Sequence, residues 1–163
     1  MYPERLYELA IHEAGHAVAA FLCGKPFLRI ELYSEGGHIV YPKRKKWFRT
    51  KKELEDFVRV SLAGRAAQMI SDDSDIGKVK ARVYSGGDFI GLADCLGRQL
   101  VDHDDLDEVF KPFIESREME FVSTLLAMNW TFVEAVANAL LEKKKLTKRQ
   151  VAAIFCRGVT SWA

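Results

Sequence analysis

Apolar side chains recur every three or four residues over residues 4–23, which predicts an amphipathic helix. Gly24 and Pro26 follow at once and are typical helix stop signals. The four residues from Thr147 to Gln150 resemble a capping box that opens the last helix. Further helical periodicity covers about 51–70, the residues that follow Asp88, 103–128, 131–142 and a last helix through Phe155.

Residues 27–41 have a different pattern, with apolar side chains on both sides of a Ser-Glu-Gly-Gly turn. This predicts a β-hairpin whose second strand ends at Pro42. Residues 71–87 are polar and glycine-rich and predict a loop. We therefore expect a mainly α fold with a minor β part, namely one small β-ribbon that includes an edge strand.

Composition fits one globular domain spanning residues 1–163. Hydrophobic residues make up 48% of the chain and charged residues 29%, and a chain of this length typically builds one core. The 24 Lys and Arg nearly balance the 23 Asp and Glu, which leaves a net charge of +1. This balance argues against a strongly basic nucleic-acid binder.

The three cysteines, Cys23, Cys95 and Cys156, form no CxxC pair, so neither a disulfide framework nor a cysteine zinc finger is indicated. The N-terminus lacks the basic and apolar segments of a secretory signal. The longest apolar stretch is far shorter than the ~20 residues of a membrane helix. We expect a cytoplasmic protein that does not enter a membrane.

The chemically informative motif is His12-Glu13-Ala14-Gly15-His16. In a helix, positions 12 and 16 lie one turn apart on the same face, so both imidazoles can converge on one metal ion. Glu13 can then reach a metal-bound water and act as general base. Zinc suits nitrogen and oxygen ligands and lowers the pKa of its water to near 7. The motif predicts a zinc hydrolase.

A catalytic zinc site needs a third protein ligand. The extended HExxHxxGxxH pattern is absent, which excludes the metzincin arrangement. His38 and His103 are candidates for the third ligand. Asp88 is another, since two glycines precede it and it opens a predicted helix, where it could equally be a simple N-cap.

These motifs resemble, in order along nearly the whole chain, the peptidase domain of FtsH-type AAA zinc metalloproteases. The matching segments are His12–Val18, the strand Gly36–Pro42, Ser61–Ala67 (with Gln68 in place of the family's glutamate), the turn Ser85–Asp88, and Ala139–Thr147.

The resemblance implies a zincin-like helical peptidase domain. His12, His16 and Asp88 would be the Zn2+ ligands, with Asp94 as the nearest alternative to Asp88, and Glu13 the general base. An exposed edge strand offers unpaired N–H and C=O groups to an extended peptide. The substrate-binding residues would accordingly be His38, Ile39, Val40 and Tyr41.

The chain departs from the family in lacking a Walker motif, and only eleven residues precede His12. We therefore expect an ATP-independent metalloendopeptidase that cleaves unfolded proteins or short peptides, or that works with a separate unfoldase or protein partner. The alternative is a zinc-binding regulatory or adaptor module with little turnover. The ring assembly of the family does not transfer without its ATPase, so the oligomeric state stays open.

Two charged segments remain. Residues 43–52 hold seven cations and two aromatic residues, which could contact nucleic acid or an acidic partner, but we favour a solvated loop. Residues 102–108 hold five carboxylates and His103. A second metal site is conceivable there, and an exposed helix start is the simpler interpretation.

Overall fold

The computed structural model describes residues 3–43, 50–74 and 117–160. Within these ranges the chain is mainly helical with one small antiparallel sheet, which confirms the predicted fold class. The helices are α1 (Glu4–Leu22), α2 (Lys51–Ser71), α3 (Arg117–Met128), α4 (Trp130–Lys143) and α5 (Lys148–Thr160), and the strands are β1 (Arg29–Leu32), β2 (Gly37–Val40) and β3 (Lys145–Thr147).

Helix α1 is the centre of the fold. Every residue from Leu9 to Ala20 is buried, so this helix is enclosed on all sides rather than amphipathic. It packs against α2, α4 and the sheet. The helix ends as predicted, because Gly24 adopts a left-handed φ of 70° that ordinary residues avoid.

Small residues allow α1 and α2 to approach each other closely. A Cβ added to Gly15 would lie 2.6 Å from the carbonyl oxygen of Ala63 and 2.7 Å from the Cβ of Ala67. Both distances are shorter than a van der Waals contact, so the backbone of α1 rests directly on α2. Thr50 caps the N-terminus of α2, since its Oγ1 accepts a hydrogen bond from the backbone amide of Glu53 at 3.2 Å.

The sheet has the strand order β2-β1-β3. The predicted hairpin is β1 and β2, paired with Arg29 opposite Val40 and Leu32 opposite Gly37. The third strand, β3, was not predicted, because three residues are too few to show an alternating pattern. It pairs antiparallel with β1 and leaves β2 at the edge of the described sheet, as predicted.

The turn from α4 through β3 into α5 is held by local hydrogen bonds. Lys144 ends α4 in a left-handed conformation with φ of 61°. The predicted capping box is confirmed. The backbone amide of Gln150 donates to Thr147 Oγ1 at 3.3 Å, and the backbone amide of Thr147 donates to Gln150 Oε1 at 2.8 Å.

No single described helix is long and apolar enough to cross a membrane. Helices α3 and α4 reach that length and composition only when taken together, and they are bent by 79° at their junction.

The predicted loop over 71–87, the predicted helix after Asp88 and the segment 102–108 lie largely or wholly outside the described residues. The same holds for most of the basic segment 43–52.

Candidate metal centre

The two histidines of the motif lie side by side in the centre of the fold. His12 and His16 are each 3% exposed, and their Nε2 atoms are 3.0 Å apart. Their rings meet edge to face, with centroids 4.7 Å apart. The structure therefore brings together the pair that helical spacing predicted.

Helix α2 holds the other nitrogen of each ring. His16 Nδ1 lies 2.6 Å from the carbonyl oxygen of Val60, and His12 Nδ1 lies 3.0 Å from Oε1 of Gln68. Both oxygens can only accept, so in this arrangement each neutral ring donates its single proton from Nδ1. Each Nε2 then carries a lone pair, and the two lone pairs face each other.

Two lone pairs at this distance repel unless a metal ion or a proton lies between or beside them. A zinc ion binds histidine nitrogen at about 2.0–2.1 Å, so both Nε2 atoms can reach the same ion. The Nδ1–H bonds to a carbonyl and an amide oxygen are the outer contacts that orient such ligands. The Nε2 atoms of His12 and His16 are therefore chemically suited to be two ligands of one zinc ion.

Gly64 leaves room in front of the histidine pair. A Cβ at this position would lie 2.5 Å from His12 Nε2 and 2.5 Å from His16 Nε2. Any side chain there would therefore occupy the space that both lone pairs face. The glycine at this point of α2 keeps that space open.

The described residues contain no group of three or more His, Cys, Asp or Glu side chains able to hold a metal. The predicted third ligand, Asp88, lies outside those residues, as do Asp94 and His103. His38, the remaining candidate, is on the exposed face of the sheet, where its Nε2 lies 3.3 Å from Glu31 Oε2. The structure does not bring it to the histidine pair.

Glu13 lies between the histidine pair and the edge strand. It is buried, and a Cβ added to Gly37 would come within 2.6 Å of its Cγ and 2.8 Å of its Cδ. The first residue of β2 thus rests directly on the Glu13 side chain. The predicted general base and the predicted substrate strand are neighbours.

Within β2, the backbone alternates in direction. The Tyr33 amide donates to the Gly36 carbonyl at 2.7 Å, so the antiparallel pattern turns the backbone groups of His38 towards β1 and those of Gly37 and Ile39 away from it. Of the predicted strand residues, His38 is exposed, while Ile39 and Tyr41 pack against the core. Val40 ends the strand, and Tyr41 lies just beyond it.

The exposed face of the sheet carries a second polar group, which we name the Glu31 cluster: Arg29, Glu31, Tyr33, His38 and Lys145. The Glu31 carboxylate accepts from Tyr33 Oη and from Arg29 Nε at 2.6 Å. Lys145 Nζ lies 3.3 Å away. These bonds, that from Tyr33 first, lower the pKa of Glu31 to about 2.

Sequence reasoning missed four residues that shape the metal centre: Val60, Gly64, Gln68 and Gly37. Gly64 and Gln68 lie in a segment matched to the family, but their contacts with His12 and His16 depend on how α1 crosses α2. From the sequence, Gly37 was assigned to the turn of the predicted hairpin. For the close packing of α1 and α2, the signal in the sequence was Gly64, a glycine beside small residues in a predicted helix.

Comparison with known proteins gives one family match. Residues 1–50, which include the His12–His16 motif, match the family described as Peptidase M50B-like.

Curated relatives match almost the whole chain. The chain is 28% identical over 176 residues to the mouse mitochondrial inner membrane m-AAA protease component AFG3L1 (91% of this chain, 22% of that protein). It is 28% identical over 182 residues to the ATP-dependent zinc metalloprotease FtsH of Ruminiclostridium cellulolyticum (90% and 29%). It is 26% identical over 165 residues to the mitochondrial ATP-dependent zinc metalloprotease FTSH 10 of Arabidopsis thaliana (85% and 20%).

The chain spans between a fifth and three-tenths of the length of these relatives. Two of them are mitochondrial by name, and the cytoplasmic location stays a prediction. The resemblance predicted from the sequence is confirmed: over about nine-tenths of its length, this chain is similar to zinc metalloproteases of the FtsH type.

Proposed function

We propose that the chain is a zinc metallopeptidase that hydrolyses peptide bonds in unfolded proteins or short peptides without using nucleotide. The observation that carries the proposal is the facing pair of Nε2 atoms on His12 and His16, 3.0 Å apart, with both rings held through Nδ1 by α2. The similarity to zinc metalloproteases supports the same ion and reaction class.

His12 and His16 would hold the zinc ion, with Asp88 proposed as the third ligand. When bound, zinc supplies a coordinated water with a pKa near 7 and polarises the scissile carbonyl. The Glu13 carboxylate accepts the proton of the attacking water and then delivers it to the leaving amine nitrogen. Burial of Glu13 beside His12 keeps its carboxylate in one place for both transfers.

We propose that the substrate lies along β2 in an extended conformation. The backbone groups of Gly37 and Ile39 point away from β1 and are directed to pair with a peptide. Because Gly37 rests on Glu13, a peptide aligned there passes the general base. Main-chain pairing selects little among side chains, so we expect broad specificity.

The proposed pairing of the substrate with β2 also favours unfolded proteins and short peptides over folded proteins. A segment inside a folded protein has its backbone already hydrogen-bonded, so it cannot add to β2 without unfolding. The groups proposed to bind zinc, transfer the proton and pair with the substrate lie in α1, α2 and β2, together with Asp88. None of these proposed roles consumes nucleotide. Folded substrates would need a separate unfoldase as partner.

The test is hydrolysis of casein, an unstructured protein, with zinc and without nucleotide. We expect cleavage by the wild type and a loss of about 10²–10⁴-fold in Glu13→Gln, which removes the base but keeps the shape. Glu4→Gln makes the same chemical change at an exposed position of the same helix and should cleave normally.

Equal cleavage by wild type and Glu13→Gln would contradict the mechanism. Stoichiometric zinc with no hydrolysis of casein or short peptides would instead indicate the regulatory or adaptor module.

A further inference from the structure

Gln68 lies beside the proposed zinc site, and the role inferred for it rests on that site. Gln68 is buried, and its side-chain amide is the partner of His12 Nδ1 at 3.0 Å. A glutamine amide has an oxygen that only accepts and a nitrogen that only donates, at nearly equivalent positions. Gln68 can therefore satisfy Nδ1 whether or not that nitrogen carries the proton.

His16 lacks this freedom. Its Nδ1 faces the carbonyl oxygen of Val60 at 2.6 Å, and a carbonyl oxygen can only accept. In neutral His16 the proton is therefore fixed on Nδ1, and Nε2 always presents a lone pair to His12. The protonation pattern of the pair is decided by His12 alone.

His12 then has two neutral arrangements. With Oε1 of Gln68 towards the ring, the proton lies on Nδ1, and both Nε2 lone pairs are available to a metal ion. With the amide rotated by half a turn, the amide nitrogen donates to Nδ1, and the proton lies on Nε2. That Nε2–H donates to His16 Nε2 across the 3.0 Å separation.

The second arrangement satisfies every donor and acceptor of the pair without an ion. Unsatisfied polar atoms in a buried site are costly, so this arrangement stabilises the metal-free protein. Both arrangements are neutral and hold the same number of protons. A carboxylate at position 68 could accept but not donate, and would support only the first.

We propose that Gln68 is a positioning residue that switches the tautomer of His12, so that the site is stable both with and without zinc. The amide oxygen faces His12 when zinc is bound, and the amide nitrogen faces it when zinc is absent. Since zinc must displace a satisfied hydrogen-bond network, the ion is held less tightly than it would be with a carboxylate at position 68.

The direct test is ¹⁵N NMR of the full chain labelled at histidine, in chelator and with one equivalent of zinc. We expect the His12 proton on Nε2 without zinc and on Nδ1 with zinc, while His16 keeps its proton on Nδ1 in both. A His12 proton on Nδ1 in both states would overturn the switch. This measurement needs no variant beyond those used to assign the signals.

A second test compares Gln68→Glu with the wild type by zinc competition against a chromophoric chelator. We expect zinc affinity to rise at least about tenfold, the lower end of the effect of changing such outer contacts. The melting temperature of the metal-free protein should fall. Unchanged affinity together with unchanged metal-free stability would overturn the role of Gln68.

Asp56→Asn is the matched control, since Asp56 is also a buried polar residue of α2 but pairs with Lys52 and Arg59. It should lower stability and leave zinc affinity unchanged. Failure of the proposed function is distinguishable, because a wild type that binds no zinc removes the site itself. Zinc binding with one fixed His12 tautomer removes only the switch.

Discussion

The histidine pair on α1 and the Glu31 cluster on the sheet are both groups of polar side chains, yet they are built in opposite ways. In the Glu31 cluster a single carboxylate is surrounded by donors from Arg29, Tyr33, His38 and Lys145. In the histidine pair, two groups of the same kind face each other with lone pairs, enclosed by α1 and α2.

This difference supports the proposal that the histidine pair, rather than the Glu31 cluster, is the functional site. The Glu31 carboxylate already accepts hydrogen bonds from its neighbours on the sheet surface, so we expect this cluster to act on stability. The two Nε2 atoms of the histidine pair lie close enough to bind the same ion. We therefore expect the histidine pair to be a binding site and the Glu31 cluster to be a structural contact.

The largest expected effect comes from filling the space in front of the histidines. In Gly64→Ala the new Cβ would lie 2.5 Å from both Nε2 atoms, so zinc binding should be lost. Overpacking should also cost about 1–3 kcal/mol of stability. Zinc content after dialysis and thermal unfolding measure the two effects.

Gly158→Ala is the control for that change, because it is also a helical glycine and an added Cβ would meet no atom within 4 Å. It should keep full zinc content with stability unchanged or raised by up to about 1 kcal/mol. Stoichiometric zinc in Gly64→Ala would place the ion elsewhere.

A smaller effect should follow from moving Glu13 without touching the histidines. In Gly37→Ala the new Cβ would approach both Glu13 Cγ and the carbonyl oxygen of Glu31 to 2.6 Å, which shifts the carboxylate and the first residue of β2. Misplacement on this scale lowers hydrolysis by about 10²-fold, whereas zinc affinity should not change. Casein cleavage and zinc competition separate the two.

Gly36→Ala is the neighbouring control, since its added Cβ would meet nothing within 4 Å. Near-normal cleavage is expected there. If Gly37→Ala cleaved casein as fast as Gly36→Ala, the edge strand would not be coupled to the general base.

The smallest effect concerns the Glu31 cluster and depends on pH. Because the pKa of Glu31 is lowered from 4.5 to about 2 in the folded chain, its contribution to stability is complete above pH 4.5 and is lost as the pH falls towards 2. Glu31→Gln should therefore lower the melting temperature at pH 7 by a small amount, and the difference should disappear at low pH.

Glu35→Gln serves as its control, because the Glu35 pair with Arg5 is largely exposed and such pairs contribute little. A Glu31→Gln difference that grew as the pH fell would contradict the assignment.

Much of the fold follows from local patterns in the sequence. Helical periodicity predicted α1, α2 and α4 to within two residues at either end, because their apolar positions face one continuous core. The Thr147–Gln150 capping box was also predicted correctly, because its hydrogen bonds join residues only three apart in sequence. Strand β3 was missed because it is only three residues long and its strand partner is β1, more than a hundred residues away in sequence.

The candidate site also has a part that the sequence predicted and a part that it did not. His12, Glu13 and His16 are one helical turn of one element, so spacing alone placed them together. Val60 and Gln68 hold the two rings from 44 and 56 residues away in sequence. Nothing in their own segment predicts that contact, since it depends on the crossing of α1 and α2.

The most direct test of the account is the metal content of the purified wild-type chain and of His16→Ala, measured by native mass spectrometry after dialysis against a weak chelator. The account predicts one zinc ion per wild-type chain and none in His16→Ala. A wild-type chain that remains folded and retains no zinc, or a zinc ion that persists in His16→Ala, would contradict it.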